Sequence, residues 1–477
     1  MTEEREIKVR NPRTGTVDYR FRPAGAPDIK TLAEHLRAGQ ASDWQRDLQA
    51  RILTLRRFVQ SIDHHREALL RALSEDTGRE RVAEIEVASV KRVVERAIEL
   101  AEAAFARPVP VAASIPGLFA HTQLVPYALV GVISPWNFPL LLAMIDAIPA
   151  LAAGCSVLLK PSEITPRHSE VLQQCIDDVP ALASVLAIAQ GDGATGAQVI
   201  DVVDAVAFTG SVRTGRHVAC RAAERFIPAF LEMGGNDAVI VTDSAKLSRA
   251  VPIVLRAAVA AAGQACQSVE RVYVQDGIYD EFIARLVQEA SSLALTAGVD
   301  GQGHIGPLIF AQQADIIQSH VDDALEQGAR VLCGGKPHCS GGIWYPPTIL
   351  TDVHHQMRIM QEETFGPVIP VMRFTRIEEA IQLANDTDYG LSANVFAGDE
   401  AEGVAIAQRL DAGVVSVNEA SLSTMVHEFE QEPFKHSGMG PPRMGASSIT
   451  RYCRKKLIVS NRSEQVRGVE SLWDGAR

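Results

Sequence analysis

Three residues far apart in the sequence carry side chains suited to nucleophilic, acid–base and oxyanion-stabilising work. Cys266 closes the segment Gly263-Gln264-Ala265-Cys266, after the small-residue stretch Ala257 to Ala262, whose pattern predicts a helix, and before a strand. A cysteine at such an exit is open to substrate and to backbone N–H groups. An electropositive niche there would raise its thiolate fraction above that of a free thiol, whose pKa is ~8.5. Glu232 ends an apolar strand in Leu231-Glu232-Met233-Gly234-Gly235. Desolvation would raise its pKa and suit it as a general base. Asn137 lies in Ser134-Pro135-Trp136-Asn137-Phe138-Pro139, just past the strand Leu129–Ile133. A side-chain amide at that position can donate to a developing oxyanion, an interaction worth roughly 3 kcal/mol. Each residue alone also has a bland reading: a core cysteine, an ion-pairing glutamate, a turn asparagine.

A second set could hold a phosphorylated ligand. Lys160-Pro161-Ser162-Glu163 follows the next strand and could clamp ribose hydroxyls. Phe208-Thr209-Gly210-Ser211 closes another strand and leads to Gly215, a turn that can offer N–H groups to a pyrophosphate. Gly191 to Gly196 matches G-x-G-x-x-G literally. It does not sit at the first strand–helix turn, and Asp201 and Asp204 come too early for the ribose partner, so it reads as a tight loop. Cys333, His338 and Cys339 lack a second ligand pair of zinc-type spacing, so no metal is expected.

The elements that must position these groups read as α/β. Residues 30 to 107 have helical spacing of Leu53, Leu55, Phe58, Val59 and Ile62. From Tyr127 to Asp243, short strands alternate with amphipathic helices: Leu129–Ile133, Ser156–Leu159, Val185–Ala189, Ala205–Phe208, Ala229–Leu231 and Ala238–Val241. That is the pattern of βαβ units and a parallel sheet, with ligands beyond the strands' carboxyl ends. A second cycle runs from Ser244 to about Asn418, with strands at Arg271–Val274 and Gly413–Val417 and helices over 278–293 and 312–327. Val109–Pro126 and Lys456–Val459 fit neither cycle and read as edge strands that invite a second chain.

The 477 residues suffice for two or three domains, and a hydrophobic share of 47% excludes wholesale disorder. A net charge of -12 argues against nucleic-acid binding and a polybasic membrane anchor. The apolar stretch Leu124 to Leu159 carries Pro126, Pro135, Pro139, Asp146 and Pro149, too many breakers for a spanning helix. The acidic start lacks a secretory pattern, and seven scattered cysteines fit reduced thiols, so a cytoplasmic protein is expected.

Taken in order, WNFP at 136–139, KPSE at 160–163, FTGS at 208–211, LEMGG at 231–235, GQAC at 263–266, EETFGPV at 362–368 and NDTDYGL at 385–391 resemble the aldehyde dehydrogenase superfamily from about residue 50 to residue 460. The resemblance implies a Rossmann-like cofactor domain (1–107 and 127–233), an α/β catalytic domain (234–450), and a small β-hairpin oligomerisation element (108–126 and 451–465), with a tail at 466–477. It implies a homodimer or homotetramer. It also implies oxidation of an aldehyde to the acid, with Cys266 as nucleophile, Asn137 and the Cys266 N–H holding the oxyanion, and Glu232 activating water. A CoA-acylating relative would typically lack that glutamate, and a non-catalytic one the nucleophile or the oxyanion donor. The implied cofactor contacts are Ile133, Ser134, Pro135, Trp136, Lys160, Ser162, Glu163, Phe208, Thr209, Gly210, Ser211, Gly215, Met233, Gly234, Glu363 and Phe365. A carboxylate at Glu163 would repel a 2′-phosphate, so NAD is expected over NADP.

The chain departs from the family pattern in places. Asn236 stands where Lys is usual, which suggests a lost packing or surface role. The PFGG-type stretch is shortened to Pro433–Gly438, after an acidic loop with Glu428, Glu430 and Glu432. Ile145 replaces a common Trp, which would suit a branched or longer aliphatic aldehyde. Asp146 and Arg443 stand where many members have Lys and Glu, an ion pair with its signs exchanged. Phe138, Ile145, Asp146, Ala265, Gln267 and Arg443 are therefore the candidate substrate-pocket residues.

Overall fold

The computed structural model describes residues 5–297, 302–464 and 468–469. The apolar runs read as strands assemble into two sheets. The first has the order Gly438–Met439, Ala229–Glu232, Ala205–Thr209, Leu129–Ile133, Ser156–Lys160, Leu186–Ile188. All its pairings are parallel except that of Gly438–Met439. Every residue of Leu129–Ile133, Ser156–Lys160 and Ala205–Thr209 is buried, as befits strands covered on both faces. The chain starts this sheet in the middle, at Leu129–Ile133, winds outward through Ser156–Lys160, then returns to Ala205–Thr209 on the other side. The crevice where the winding direction reverses is the natural ligand site of such sheets.

The second sheet is seven-stranded, in the order Arg330–Cys333, Thr348–Thr351, Val368–Phe374, Val269–Gln275, Asp237–Val241, Ser392–Phe396, Val414–Val417. Four of these strands, Arg330–Cys333, Thr348–Thr351, Val368–Phe374 and Ser392–Phe396, carry no sequence expectation above. Short apolar runs between polar loops look alike as strand or helix turn. The helical reading of residues 30 to 107 resolves into Ala26–Gly39, Leu48–His64, Arg66–Thr77 and Glu80–Ala104. Ahead of them lies a hairpin, Ile7–Arg10 with Val17–Phe21, that the pattern does not announce. No helix among the described residues is long and apolar enough to cross a membrane.

The two stretches that fitted neither cycle pair with each other. Cys453–Asn461 runs antiparallel to Leu118–Pro126, which also pairs with Val111–Ala112. Cys453–Asn461 is longer than the Lys456–Val459 core and forms an exposed edge, with Leu457 and Val459 more than half exposed. The tail at 466–477 lies outside the described residues apart from 468 and 469.

One local expectation fails next to the nucleophile. The helix takes in only the first half of Ala257 to Ala262: it spans Leu247–Val259, and a 3-10 turn, Ala260–Gly263, follows. Ala261 and Ala262 have φ of 53° and 59°, left-handed values that alanine rarely takes. Gly263, at φ 69°, completes the turn where a Cβ would lie 2.2 Å from the carbonyl carbon of Gly366. Tertiary contact with the 362–368 segment overrides the helical propensity of the alanines.

Candidate active site

At the crevice of the first sheet, three strand ends meet. Ile133, Lys160 and Thr209 end neighbouring strands, and Ser134 donates its N–H to the Lys160 carbonyl at 3.0 Å. Lys160 is buried, and its Nζ lies 3.0 Å from Glu163 Oε2. Ser162 Oγ accepts the Ile164 N–H at 3.3 Å, shaping that turn. Ser211 caps the helix Val212–Glu224 by accepting the Thr214 N–H. Pro135 and Trp136 are half-buried beside these ends, and the Trp136 ring meets Phe365 edge to face at 5.4 Å.

The crevice has the features a dinucleotide requires. Ser134 Oγ and Thr209 Oγ1 are buried at strand ends without a hydrogen-bond partner among the described residues. Buried hydroxyls rarely stay unpaired, so they mark positions for ligand oxygens. The backbone keeps side chains out: a Cβ on Gly210 would meet Phe208, on Gly215 Met233 Sδ at 2.2 Å, and on Gly234 Glu363 Oε2 at 2.2 Å. Glu363 Oε1 accepts the Gly235 N–H at 3.1 Å, which joins the 362–368 segment to the Leu231–Gly235 turn. The literal G-x-G-x-x-G match is a strand-to-helix turn, where a Cβ on Gly196 would lie 3.8 Å from Ile133 Cδ1. Asp192 caps the helix Gly193–Val202 there, after the edge strand Leu186–Ile188, so the tight-loop reading is corrected to a helix start.

Cys266, Glu232 and Asn137 converge from separate elements. Asn137 is buried, and its Nδ2 donates to the Gln264 carbonyl at 3.0 Å, two residues before the nucleophile. Glu232 ends the strand Ala229–Glu232, pinned by the Glu232 carbonyl accepting the Gly210 N–H. Ala265 accepts the Ser268 N–H at 3.0 Å in the turn around Cys266, and Gln267 follows, half-buried.

The electrostatics around the thiol reverse the expectation of an electropositive niche. Burial pushes Cys266 up to about 12, Asp237 and Glu363 raise it further, Arg443 opposes, and Glu232 adds to the rise. Three carboxylates outweigh one cation. Glu232 is itself raised, first by burial, with Arg443 and Arg451 pulling it down and Asp146 raising it. A neutral thiol beside a carboxyl group that burial also raises is the resulting ground state.

The proposed pair is formed. Arg443 Nη2 and Nε donate to the two Asp146 oxygens at 2.7 and 3.2 Å, both side chains are buried, and Tyr452 Oη adds a third bond at 3.1 Å. Removing one partner of such a pair typically costs about 3–5 kcal/mol, because the other charge stays buried alone. Ile145 is buried beside Asp146 on the helix Leu141–Ala153.

Several residues that serve the site gave no sequence signal. Arg79 is buried, stacks over Phe138 at 5.2 Å, and donates to the Asn137 carbonyl. Glu86 accepts the N–H groups of Leu140 and Leu141 at 3.0 Å each, capping the helix that carries Asp146. Burial raises Glu86 to about 7, against those N–H groups and Arg79. Glu270 accepts the N–H groups of Thr364 and Phe365, fixing the Glu363 segment. Asn236 corrects the idea of a lost surface role: it is buried, and its Nδ2 bonds Glu270 at 3.3 Å and the Glu362 carbonyl at 3.0 Å.

A half-buried thiol, a carboxyl group and an amide donor beside a dinucleotide-shaped crevice are the set of groups a dehydrogenase with a covalent intermediate needs. Residues 1–458 match the model of the aldehyde dehydrogenase family, and the chain belongs to that family. It oxidises aldehydes with a nicotinamide dinucleotide. The Mycolicibacterium smegmatis protein named "Putative succinate-semialdehyde dehydrogenase (NADP(+))" is 35% identical over 92% of this chain and 86% of its own length. The Anabaena variabilis structure named "Putative Aldehyde Dehydrogenase PutA" superposes with a TM-score of 0.95 at 46% identity, over 98% of this chain and 99% of that one. Staphylococcus aureus betaine aldehyde dehydrogenase, solved with NAD+, gives 0.91 at 30% identity over 98% and 93%.

The raised thiol has a measurable consequence. Without nucleotide or aldehyde, the Cys266 thiolate fraction grows as pH rises toward about 12. Iodoacetamide alkylation of the Cys266 peptide, followed by mass spectrometry, is expected to accelerate about tenfold per pH unit between pH 7 and 10. A rate that is already flat at pH 7 would show a thiolate at neutrality instead.

Proposed function

We propose that Cys266, Glu232 and Asn137 carry the reaction in three roles. The observation that carries this reading is the junction of Asn137 with the nucleophile turn, through its 3.0 Å bond to the Gln264 carbonyl, within the field of Glu232. Glu232 takes the thiol proton, and the sulfur adds to the aldehyde carbon. Asn137 Nδ2 and the Cys266 N–H hold the oxygen as it becomes anionic, the preorganised arrangement that contributes most in a dry site. Collapse of that oxyanion expels hydride and leaves a thioester on Cys266. A nicotinamide dinucleotide would supply the hydride acceptor, with Lys160 and Glu163 holding its adenine ribose, Ser211 its phosphates, and Glu363 and Phe365 its nicotinamide ribose. Glu232 releases that first proton to solvent, then takes a proton from the water that attacks the thioester; the acid leaves, and Glu232 returns the second proton to the Cys266 thiolate. Glu232→Gln is expected to give a stoichiometric burst of reduced nucleotide, then turnover lowered by about 100-fold or more. A variant with the full steady rate would remove Glu232 from this role.

For the nucleotide we propose NAD as the preferred form, on the position of Glu163 alone; the name of the mycolicibacterial relative carries NADP(+) instead. Glu163 pairs with Lys160 at a strand's carboxyl end, so its charge would meet a 2′-phosphate but accept bonds from free ribose hydroxyls. Glu163→Gln is expected to raise kcat/KM for NADP relative to NAD by about tenfold, or ~1.4 kcal/mol. A wild-type kcat/KM higher for NADP than for NAD overturns the preference.

We also propose that the exposed edge of Cys453–Asn461, with its apolar Leu457 and Val459, is covered by a second copy of the chain. Light scattering of the purified protein is expected to give a dimer or tetramer mass, and replacing Leu457 by Glu to lower it. A wild-type monomer at micromolar concentration would reject the assembly.

A further inference from the structure

Two arginines surround Glu232, and their circumstances differ. Arg443 is committed: two of its bonds go to Asp146 and one to the Leu142 carbonyl, and the pair is electrically neutral as a unit. Arg451 follows the short helix Ser447–Thr450 and is 5% exposed, yet its Nε and Nη1 have no hydrogen-bond partner among the described residues. No carboxylate of the described residues lies within ion-pair distance of it. A guanidinium at that depth is costly unless an anion nearby compensates it.

Geometry indicates which anion that is. The Arg451 Cζ sits 4.7 Å from the centroid of the Phe230 ring and 5.4 Å from that of Tyr452, and the two rings meet edge to face at 5.6 Å. Phe230 stands two residues before Glu232 on the strand Ala229–Glu232, so both side chains project from the same face. The groups whose charge reaches Glu232 are Arg443 from the loop before Ser447–Thr450, Arg451 from the turn after it, Asp146 from the helix Leu141–Ala153, and Cys266 from the nucleophile turn. Arg443 and Arg451 both favour the Glu232 carboxylate, Arg443 the more strongly, and Asp146 opposes them. Arg451 is the one of the two cations with no carboxylate partner of its own among the described residues.

We propose that Arg451 is a positioning residue for the hydrolytic half of the reaction, its uncommitted charge holding Glu232 as a carboxylate while Glu232 receives the proton of the attacking water. The inference rests on Glu232 being the base. In that step a water O–H bond breaks as the O–C bond forms at the thioester carbon. The proton goes to Glu232, and the electron pair of the C–S bond returns to Cys266 as thiolate. Arg451 enters none of the bonds made or broken in this step. It contributes a field and carries no proton.

Removing a cation beside a carboxylate raises the carboxyl pKa, so less base is ionised at any pH below the midpoint. The test is acyl-enzyme decay, followed by rapid quench from pH 5.5 to 9.5, in Arg451→Met and Arg451→Gln. Both variants are expected to move the midpoint up by about one unit, slowing decay about tenfold on the acid side. The alkaline plateau should stay within about twofold, and Arg451→Lys should bring the midpoint back toward wild type. Arg451→Gln keeps a polar planar head and serves where Arg451→Met does not fold. Unmoved midpoints, or an equal loss at every pH, overturn the assignment. Full turnover by Glu232→Gln would instead remove the base itself. A stalled Glu232→Gln with unmoved Arg451 midpoints removes Arg451 alone.

Discussion

The site depends on the contact between two backbones that leave no room for a side chain between them. Gly263 packs on the Gly366 carbonyl, and Gly234 packs on the Glu363 carboxylate. The first contact bends the nucleophile turn into left-handed φ at Ala261 and Ala262; the second brings the Glu363 segment over the turn that follows Glu232. Two sheets that fold largely on their own cores are thereby joined at their carboxyl ends. Strain of roughly 1–3 kcal/mol per left-handed non-glycine residue is sustained because the surrounding contacts fix the geometry.

Around that junction, buried charge is handled in pairs and caps. Glu86 and Glu270 each accept two backbone N–H groups, one set opening the helix that carries Asp146, the other fixing the segment that carries Glu363. Arg79 is the cation that acts on Glu86 and Arg271 the one that acts on Glu270, while Arg443 is paired with Asp146. A carboxylate held by N–H groups at a helix start is favourable even in a dry interior. The same dryness makes Cys266 a neutral thiol in the ground state and raises Glu232 toward the range of a useful base. One property of the interior therefore shapes both reactive groups, and the nearby arginines adjust how far each moves.

The exchange of signs at 146 and 443 keeps the pairing and changes its chemistry. An arginine offers two parallel donors to one carboxylate, which a lysine cannot, and it does not give up a proton at neutral pH. Tyr452 extends the unit by bonding the same carboxylate, so helix, loop and edge strand are tied together beside the base. The acidic loop before the shortened Pro433–Gly438 stretch is secured in a similar way. Glu430 accepts from the Ser447 N–H and Oγ, and Glu428 pairs with Arg96.

The sequence alone determined the α/β class and singled out the candidate reactive residues. WNFP, LEMGG and GQAC are contiguous motifs, and most strands of the first sheet are unbroken apolar runs, so local pattern sufficed to find them. The pairing of Asp146 with Arg443 was also visible, as two departures from one pattern with opposite sign. Arg79, Glu86, Glu270 and Arg451 were not visible. On a helix or strand, a buried charged residue has the same letters and spacing as a solvated one, and only long-range packing decides which is which. The electrostatic environment of Cys266 likewise belongs to the tertiary structure, because Asp237, Glu232 and Glu363 reach the thiol from three separate segments. A pKa is set by burial and distance, and neither is written in the order of the residues.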